Sequence, residues 1–202
     1  MWVVKLGGSL AASDDLPRWL DALSRTDAVI VPGGGPFADA VRTAQARWAF
    51  DETAAHHMAI LGMRQYGLML AALCPALLTA ATLAELRQPA GRAKVWLPAP
   101  ECLDAAGIPA TWDVTSDSLA AWLAGQIHAT NLLLVKSVSA TSLAATRSLC
   151  CAQLVNQGWV DPVFPTYAAK NACPSWLCGP DAHIGLTQAL SKPAGHFTRI
   201  AG

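Results

Sequence analysis

Twice within its first 36 residues the chain drives a largely apolar strand straight into glycines. Residues 2–6 (WVVKL) end on Gly7, Gly8 and Ser9, and residues 28–31 (AVIV) end on Pro32, Gly33, Gly34, Gly35 and Pro36. A strand with apolar residues on both faces, rather than at every second position only, is buried on both faces, the condition of a parallel sheet enclosed between helix layers. In such sheets ligands sit just beyond the C-terminal ends of the strands. Glycines there let the backbone approach a phosphate and aim N–H groups at it. Lys5, delivered by the first strand, adds a point charge able to neutralise transferring phosphoryl oxygens. The plain alternative is an ordinary strand-to-helix turn with a solvated lysine. Three glycines in a row go beyond what a turn needs and imply that something comes close to the backbone.

The rest of the chain continues the alternation. Helices are expected from near Ser13 or Asp14 to Arg25, from Phe37 to Arg47, over 52–73, and over 116–128 with Ser116 as N-cap. Further helices are expected within 79–88, as one turn over 101–106, over 162–172, and from Gly179 to about Leu190. Short strands are expected at 94–97, 132–135, 176–178 and 197–200, and residues 139–149 give no clear signal. The pattern predicts an α/β fold in a single domain over 1–202, with no repeat and no linker.

Composition narrows the function. Hydrophobic residues make up 53% and charged residues 14%, too apolar for disorder. No run reaches the roughly 18–20 uninterrupted apolar residues of a spanning helix, and no signal peptide is visible, so a cytoplasmic protein is expected. The formal net charge of zero argues against a general nucleic-acid binder, but leaves room for a small anion held by two or three local cations.

A third motif, WDVTSDS over 112–118, enters the helix at 116. Asp117 in the first turn reads either as an acid that complements the helix dipole or as a carboxylate that orients lysine ammonium groups, or magnesium, near phosphates. No Walker A sequence and no G-x-G-x-x-G follows a strand, which excludes the P-loop and Rossmann readings.

These three elements, in this order, resemble the amino acid kinase family. The resemblance covers the first 138 residues through specific motifs. It implies the carbamate kinase-like fold, a three-layer αβα sandwich with a mainly parallel central sheet, and an ATP- and Mg²⁺-dependent phosphotransferase. By resemblance, Lys5 stabilises the transferring phosphoryl group and Asp117 holds the catalytic lysines. Gly7, Gly8, Ser9, Lys136 and Ser137 would face the nucleotide, and Gly33, Gly34, Gly35, Asp113 and Thr115 the acceptor. Many members carry an acidic T-D-V-D-G-type segment after the strand at 132–135; here the chain reads VKSVSATS. Lys136 stands there as one candidate for the second catalytic lysine, and Lys170 is the other. The short length and the strings VVKLGGSL, VPGGGPFADAVR and TSDSLAAWLA look most like the branch of methanofuran biosynthesis that converts a furan monophosphate and ATP into a furan diphosphate. The alternatives are another family acceptor, a carboxylate or a nucleoside monophosphate, or a non-catalytic nucleotide-binding subunit. A homo-oligomer is expected.

Other residues invite simpler readings. His56 and His57 are adjacent on a helix and point about 100° apart, so they do not chelate one metal easily. No metal ligand is assigned. The six cysteines lack C-x2-C spacing and are expected to be reduced, mostly buried thiols. Trp2, Trp19 and Trp122 are expected in the core, and Trp112 is a candidate neighbour of a ring-shaped acceptor.

Overall fold

The computed structural model describes residues 1–138, 148–171 and 173–201. The chain begins with β1 (Trp2–Leu6), a 3-10 turn (Gly8–Ala12), α1 (Leu16–Ser24), β2 (Val29–Pro32), α2 (Gly35–Trp48) and α3 (Glu52–Leu73). Next come β3 (Leu78–Ala80), α4 (Leu83–Arg87), β4 (Lys94–Trp96), α5 (Pro100–Ala105), α6 (Ser116–Gln126) and β5 (Asn131–Val135). Beyond residue 147 lie β6 (Ser148–Cys150), α7 (Cys151–Asn156), α8 (Phe164–Lys170), β7 (Ser175–Cys178), α9 (Leu186–Ser191) and β8 (Thr198–Ala201).

One eight-stranded sheet carries these elements in the order β3-β4-β2-β1-β5-β7-β8-β6. From β3 to β7 every pairing is parallel; β8 runs antiparallel to β7, and β6 lies beyond it, parallel to β8. The order places β1 in the centre with β2 and β5 on either side, in the register Lys5↔Val31 and Lys5↔Leu134. The two sequence motifs that end in glycine are therefore neighbours in space.

The sheet divides the core in two. Val3 packs with Leu119, Ala120, Leu132 and Leu134 on one face, and Val4 and Leu6 pack with Leu10, Trp19, Leu133 and Val135 on the other. Period-two alternation then puts Lys5 on the Val3 face, where α6 packs against β1. All five residues of β1 are buried, Lys5 among the apolar ones.

Several local expectations need correction. The first helix does not start at Ser13 or Asp14: the 3-10 turn intervenes, and α1 begins at Leu16 with Pro17 in its first turn. The N-cap of α6 is Thr115, whose hydroxyl accepts from the Asp117 N–H, and Ser116 is the first helical residue. Between Gly179 and Gly185 the backbone makes turns, and α9 occupies only Leu186–Ser191. β6 emerges from the stretch that gave no sequence signal, most of which lies outside the described residues, as does Ala172 at the end of the expected helix over 162–172. Of the six thiols only Cys151 and Cys178 are buried, and Cys102 and Cys150 are exposed. Trp2 and Trp19 sit in the core as expected, and Trp122 packs against it partly buried.

Candidate active site

The ladder continues past the strand ends into the glycine corners. Gly33 N–H donates to the Leu6 carbonyl at 2.8 Å and Gly7 N–H to the Val135 carbonyl at 3.2 Å. The corners of β1 and β2 touch backbone to backbone. A Cβ placed on Gly33 would lie 2.4 Å from Gly8 N, and one on Gly8 would lie 2.5 Å from Gly35 N. A methyl group cannot occupy either gap, since its neighbour is main chain. Gly35, with φ of +53°, turns the chain into α2. Of the three glycines, Gly33 is demanded by the other loop, Gly34 by Ala38 of its own helix, 2.3 Å from where its Cβ would stand, and Gly35 by its φ.

At the same rim three charged side chains converge. Asp117 in the first turn of α6 is buried, 3% exposed. Its Oδ1 forms an ion pair with Lys5 Nζ at 3.0 Å, off the line of a hydrogen bond. Its Oδ2 accepts a hydrogen bond from Lys136 Nζ at 2.5 Å. Lys5 is itself buried, while the Lys136 side chain keeps 17% of its surface open. Burial alone pushes the Asp117 carboxyl up, but the Lys5 and Lys136 ammonium groups outweigh it and hold it below the ordinary carboxylate value. Burial, helped by the charge of Lys5, brings Lys136 down to about 8, against the pull of Asp117. Two ammonium groups on one carboxylate leave an excess positive charge at the mouth of the glycine corners, a setting suited to a polyanion.

The structure brings Lys136, and not Lys170, to Asp117. Lys136 follows β5 directly, and its N–H donates to the Cys178 carbonyl at 3.0 Å. Lys170 lies exposed at the end of α8, with its ammonium 5.9 Å from the Tyr167 ring centroid. Ser9 lies just after the β1 corner, Ser137 two residues after β5 and Asp113 two residues before the α6 cap; all three are exposed, and Thr115 caps α6. Trp112 is fixed against the α2–α3 pair: its N–H donates to Glu52 Oε1 at 2.9 Å, its Nε1–H to Gln45 Oε1 at 2.7 Å, and Arg42 stacks over its ring at 3.8 Å. His56 is buried and His57 pairs with Asp104 at 3.0 Å, so the two rings serve separate surroundings. Among the described residues no cluster of three or more His, Cys, Asp or Glu side chains is placed to hold a metal.

Sequence reasoning missed Asp161. This buried carboxylate accepts from Thr115 N–H at 3.0 Å, Thr115 Oγ1–H at 2.8 Å, Ser118 N–H at 3.0 Å and Ser118 Oγ–H at 2.5 Å. It also accepts from Val163 N–H at 3.1 Å and Phe164 N–H at 2.8 Å. It thereby ties the start of α6 to the start of α8, and so sets where Asp117 stands. The available signal was an Asp-Pro step just before a helix, the position of a capping acid.

Comparison with known proteins agrees with this geometry. The model of the amino acid kinase family matches residues 1–140. The chain belongs to the amino acid kinase family. It is accordingly a phosphotransferase, acting on a small molecule. Among solved structures it resembles uridylate kinase from Archaeoglobus fulgidus, with a TM-score of 0.73 and 19% identity over 99% of both chains. It also resembles UMP kinase from Ureaplasma parvum, with a TM-score of 0.68 and 15% identity over 100% of this chain and 98% of that one. Aspartate kinase from Synechocystis matches with a TM-score of 0.61 and 14% identity over 89% of this chain and 38% of that one. At these identities the likeness establishes the α/β fold with its mostly parallel sheet. No curated protein sequence matches the chain.

Proposed function

We propose that this amino acid kinase transfers the γ-phosphoryl group of ATP to the phosphate of a furan monophosphate, giving the diphosphate of methanofuran biosynthesis. The observation that carries the transfer reaction is the buried Lys5–Asp117–Lys136 cluster, set where two glycine corners meet at the ends of adjacent parallel strands. The furan acceptor rests on the motif strings VVKLGGSL, VPGGGPFADAVR and TSDSLAAWLA.

In this reading Asp117 does not touch the reacting atoms. It holds the two ammonium groups at a fixed spacing, so that their charge is in place before the transition state forms. Lys5 neutralises the oxygens of the transferring group, and Lys136 rather than Lys170 serves as the second cation. The corner residues Gly7, Gly8 and Ser9, with Ser137, border the nucleotide. Gly33, Gly34, Gly35, Asp113 and Thr115 border the acceptor. An acceptor phosphate is already anionic at neutral pH, so no general base is required. Both Asp117 oxygens already face lysines, which fits Mg²⁺ arriving on the triphosphate rather than on a carboxylate cage of the protein. When bound, that ion supplies charge neutralisation between the phosphates. The protein works in the cytoplasm.

ADP release with ATP and Mg²⁺ tests the proposal across a panel of the furan monophosphate, UMP, other nucleoside monophosphates and amino acid carboxylates. Turnover highest on the furan phosphate is expected. Preference for another acceptor overturns the furan assignment, and ATP binding without turnover on any acceptor overturns the catalytic one.

A further inference from the structure

At the end of the sheet opposite the catalytic rim lies a cavity of about 280 Å³ that the proposed reaction does not use. Cys151, Cys173, Ser175 and Arg199 line it, so it is enclosed by the start of α7, the start of β7 and the strand β8. Ser175 pairs with Leu132 near the beginning of β5, whereas the rim lies beyond Val135 and Cys178 at the other end of the same two strands. Ser175 and Cys178 are three residues apart on one strand, about 10 Å. The volume is that of a pocket for a small ligand.

The lining selects the chemistry of that ligand. Arg199 is the only charged residue among the described residues that line the cavity. Its guanidinium is held in place beforehand. One N–H donates to the Ser175 carbonyl at 3.2 Å, and the group lies 5.1 Å from the Trp176 ring centroid. Trp176 is fixed in turn, since its Nε1–H donates to Asn131 Oδ1 at 3.0 Å. The other guanidinium N–H groups have no acceptor among the described residues. A planar fork with free donors matches a carboxylate, which accepts two parallel N–H bonds. Nothing else on the wall competes for it. The Asn171 amide is occupied: Nδ2–H donates to the Ala121 carbonyl at 3.1 Å, and Oδ1 accepts from Cys173 N–H at 3.3 Å. Burial pushes the Cys151 and Cys173 thiols up, so both stay protonated at neutral pH and add no negative charge. Ala168, Ala169, Pro174 and Ile200 complete the lining with apolar surface. One guanidinium neutralises one charge, so a dianionic phosphate would keep unpaired charge against these walls.

We propose that this cavity is a second ligand site, which binds a small monocarboxylate with its carboxylate on Arg199 and its apolar body against α8 and Ile200. Because it stands apart from the catalytic rim, it can be filled while nucleotide and acceptor are bound, the arrangement a regulatory ligand requires.

Calorimetric titration of the full-length chain with hexanoate tests the proposal, with ATP and Mg²⁺ in excess to occupy the rim. One site with a Kd of about 1 mM or tighter is expected. Arg199→Gln removes the fork, and Ala169→Phe fills the cavity without touching it. Each is expected to weaken hexanoate about tenfold or more, with circular dichroism checking that the variant folds; if Arg199→Gln does not fold, Ala169→Phe decides. Lys5→Ala is expected to leave hexanoate binding unchanged, because Lys5 belongs to the rim. Hexanol, which lacks the charge, and inorganic phosphate, which lacks the tail, are expected to bind about tenfold more weakly or worse. No saturable binding of hexanoate, binding indifferent to the folded variants, binding lost in Lys5→Ala, or hexanol or phosphate bound as tightly as hexanoate each overturns the proposal.

Discussion

Two buried carboxylates stand at the same end of α6 and are satisfied in opposite ways. Asp161 accepts only from neutral donors, four of them backbone N–H groups and two of them hydroxyls. Asp117, at the first turn of the same helix, faces two ammonium groups on long side chains from β1 and from the residue after β5. Fixed dipoles around a charge make a brace, since none of them gains by reaching elsewhere. Charged partners on extended stems make a site, since a ligand phosphate competes for the same ammonium groups. In the proposed function, the region around Asp161 decides where the chemistry stands, and the region around Asp117 decides what it is.

Loss of Lys5 is expected to break that division most sharply. Lys5→Ala should lower kcat by about 10²–10³, the usual cost of one transition-state donor, while unfolding stays cooperative. Near-normal turnover would remove Lys5 from the mechanism. Next, Asp161→Asn turns an acceptor-only group into one that presents N–H to surrounding donors. A loss of about 3 kcal/mol in stability is expected by denaturant titration, with kcat per folded molecule falling less than in the Lys5 variant. A stable Asp161→Asn protein with the larger kcat loss would reverse the two roles.

A pH profile sharpens the Asp117 side. Lys136 loses its proton near 8 instead of its usual 10.5, so kcat/KM should fall as pH rises through about 8. Lys136→Arg keeps its charge and should shift that limb to higher pH. For stability the sign is opposite. Between about pH 8 and 10.5 the unfolded chain binds the proton that the folded chain has released, so raising the pH favours folding at this residue. A rate profile flat to pH 10 in the wild type would exclude Lys136 from the working site. The smallest effect is expected at the exposed residue. Lys170→Ala should change kcat/KM less than about threefold and stability by under about 0.5 kcal/mol. A large kcat loss there would reinstate Lys170 as the second cation.

Much of this was legible in the linear chain, for identifiable reasons. The largely apolar runs of β1, β2 and β5, without two-residue alternation, announced a sheet covered on both faces, and the 22-residue α3 was bounded as expected over 52–73. Lys5 and Asp117 stood out because each lies within one element of a recognisable turn. The elements after residue 147 were harder. β6 has three residues, and its partner β8 is the C-terminal strand, so pairing gives a signal that no local window contains.

What the sequence by itself determined was the alternation of elements, the two glycine corners, and the chemistry available at Lys5, Asp117 and Lys136, because all of these rest on local pattern and residue type. Only the tertiary structure decided that Lys136 and not Lys170 meets Asp117, that Gly8 and Gly33 are required by contact between the two loops, and that Asp161 anchors α6. Each of those depends on contact between segments distant in sequence, and distance along the chain carries no information about distance across a sheet.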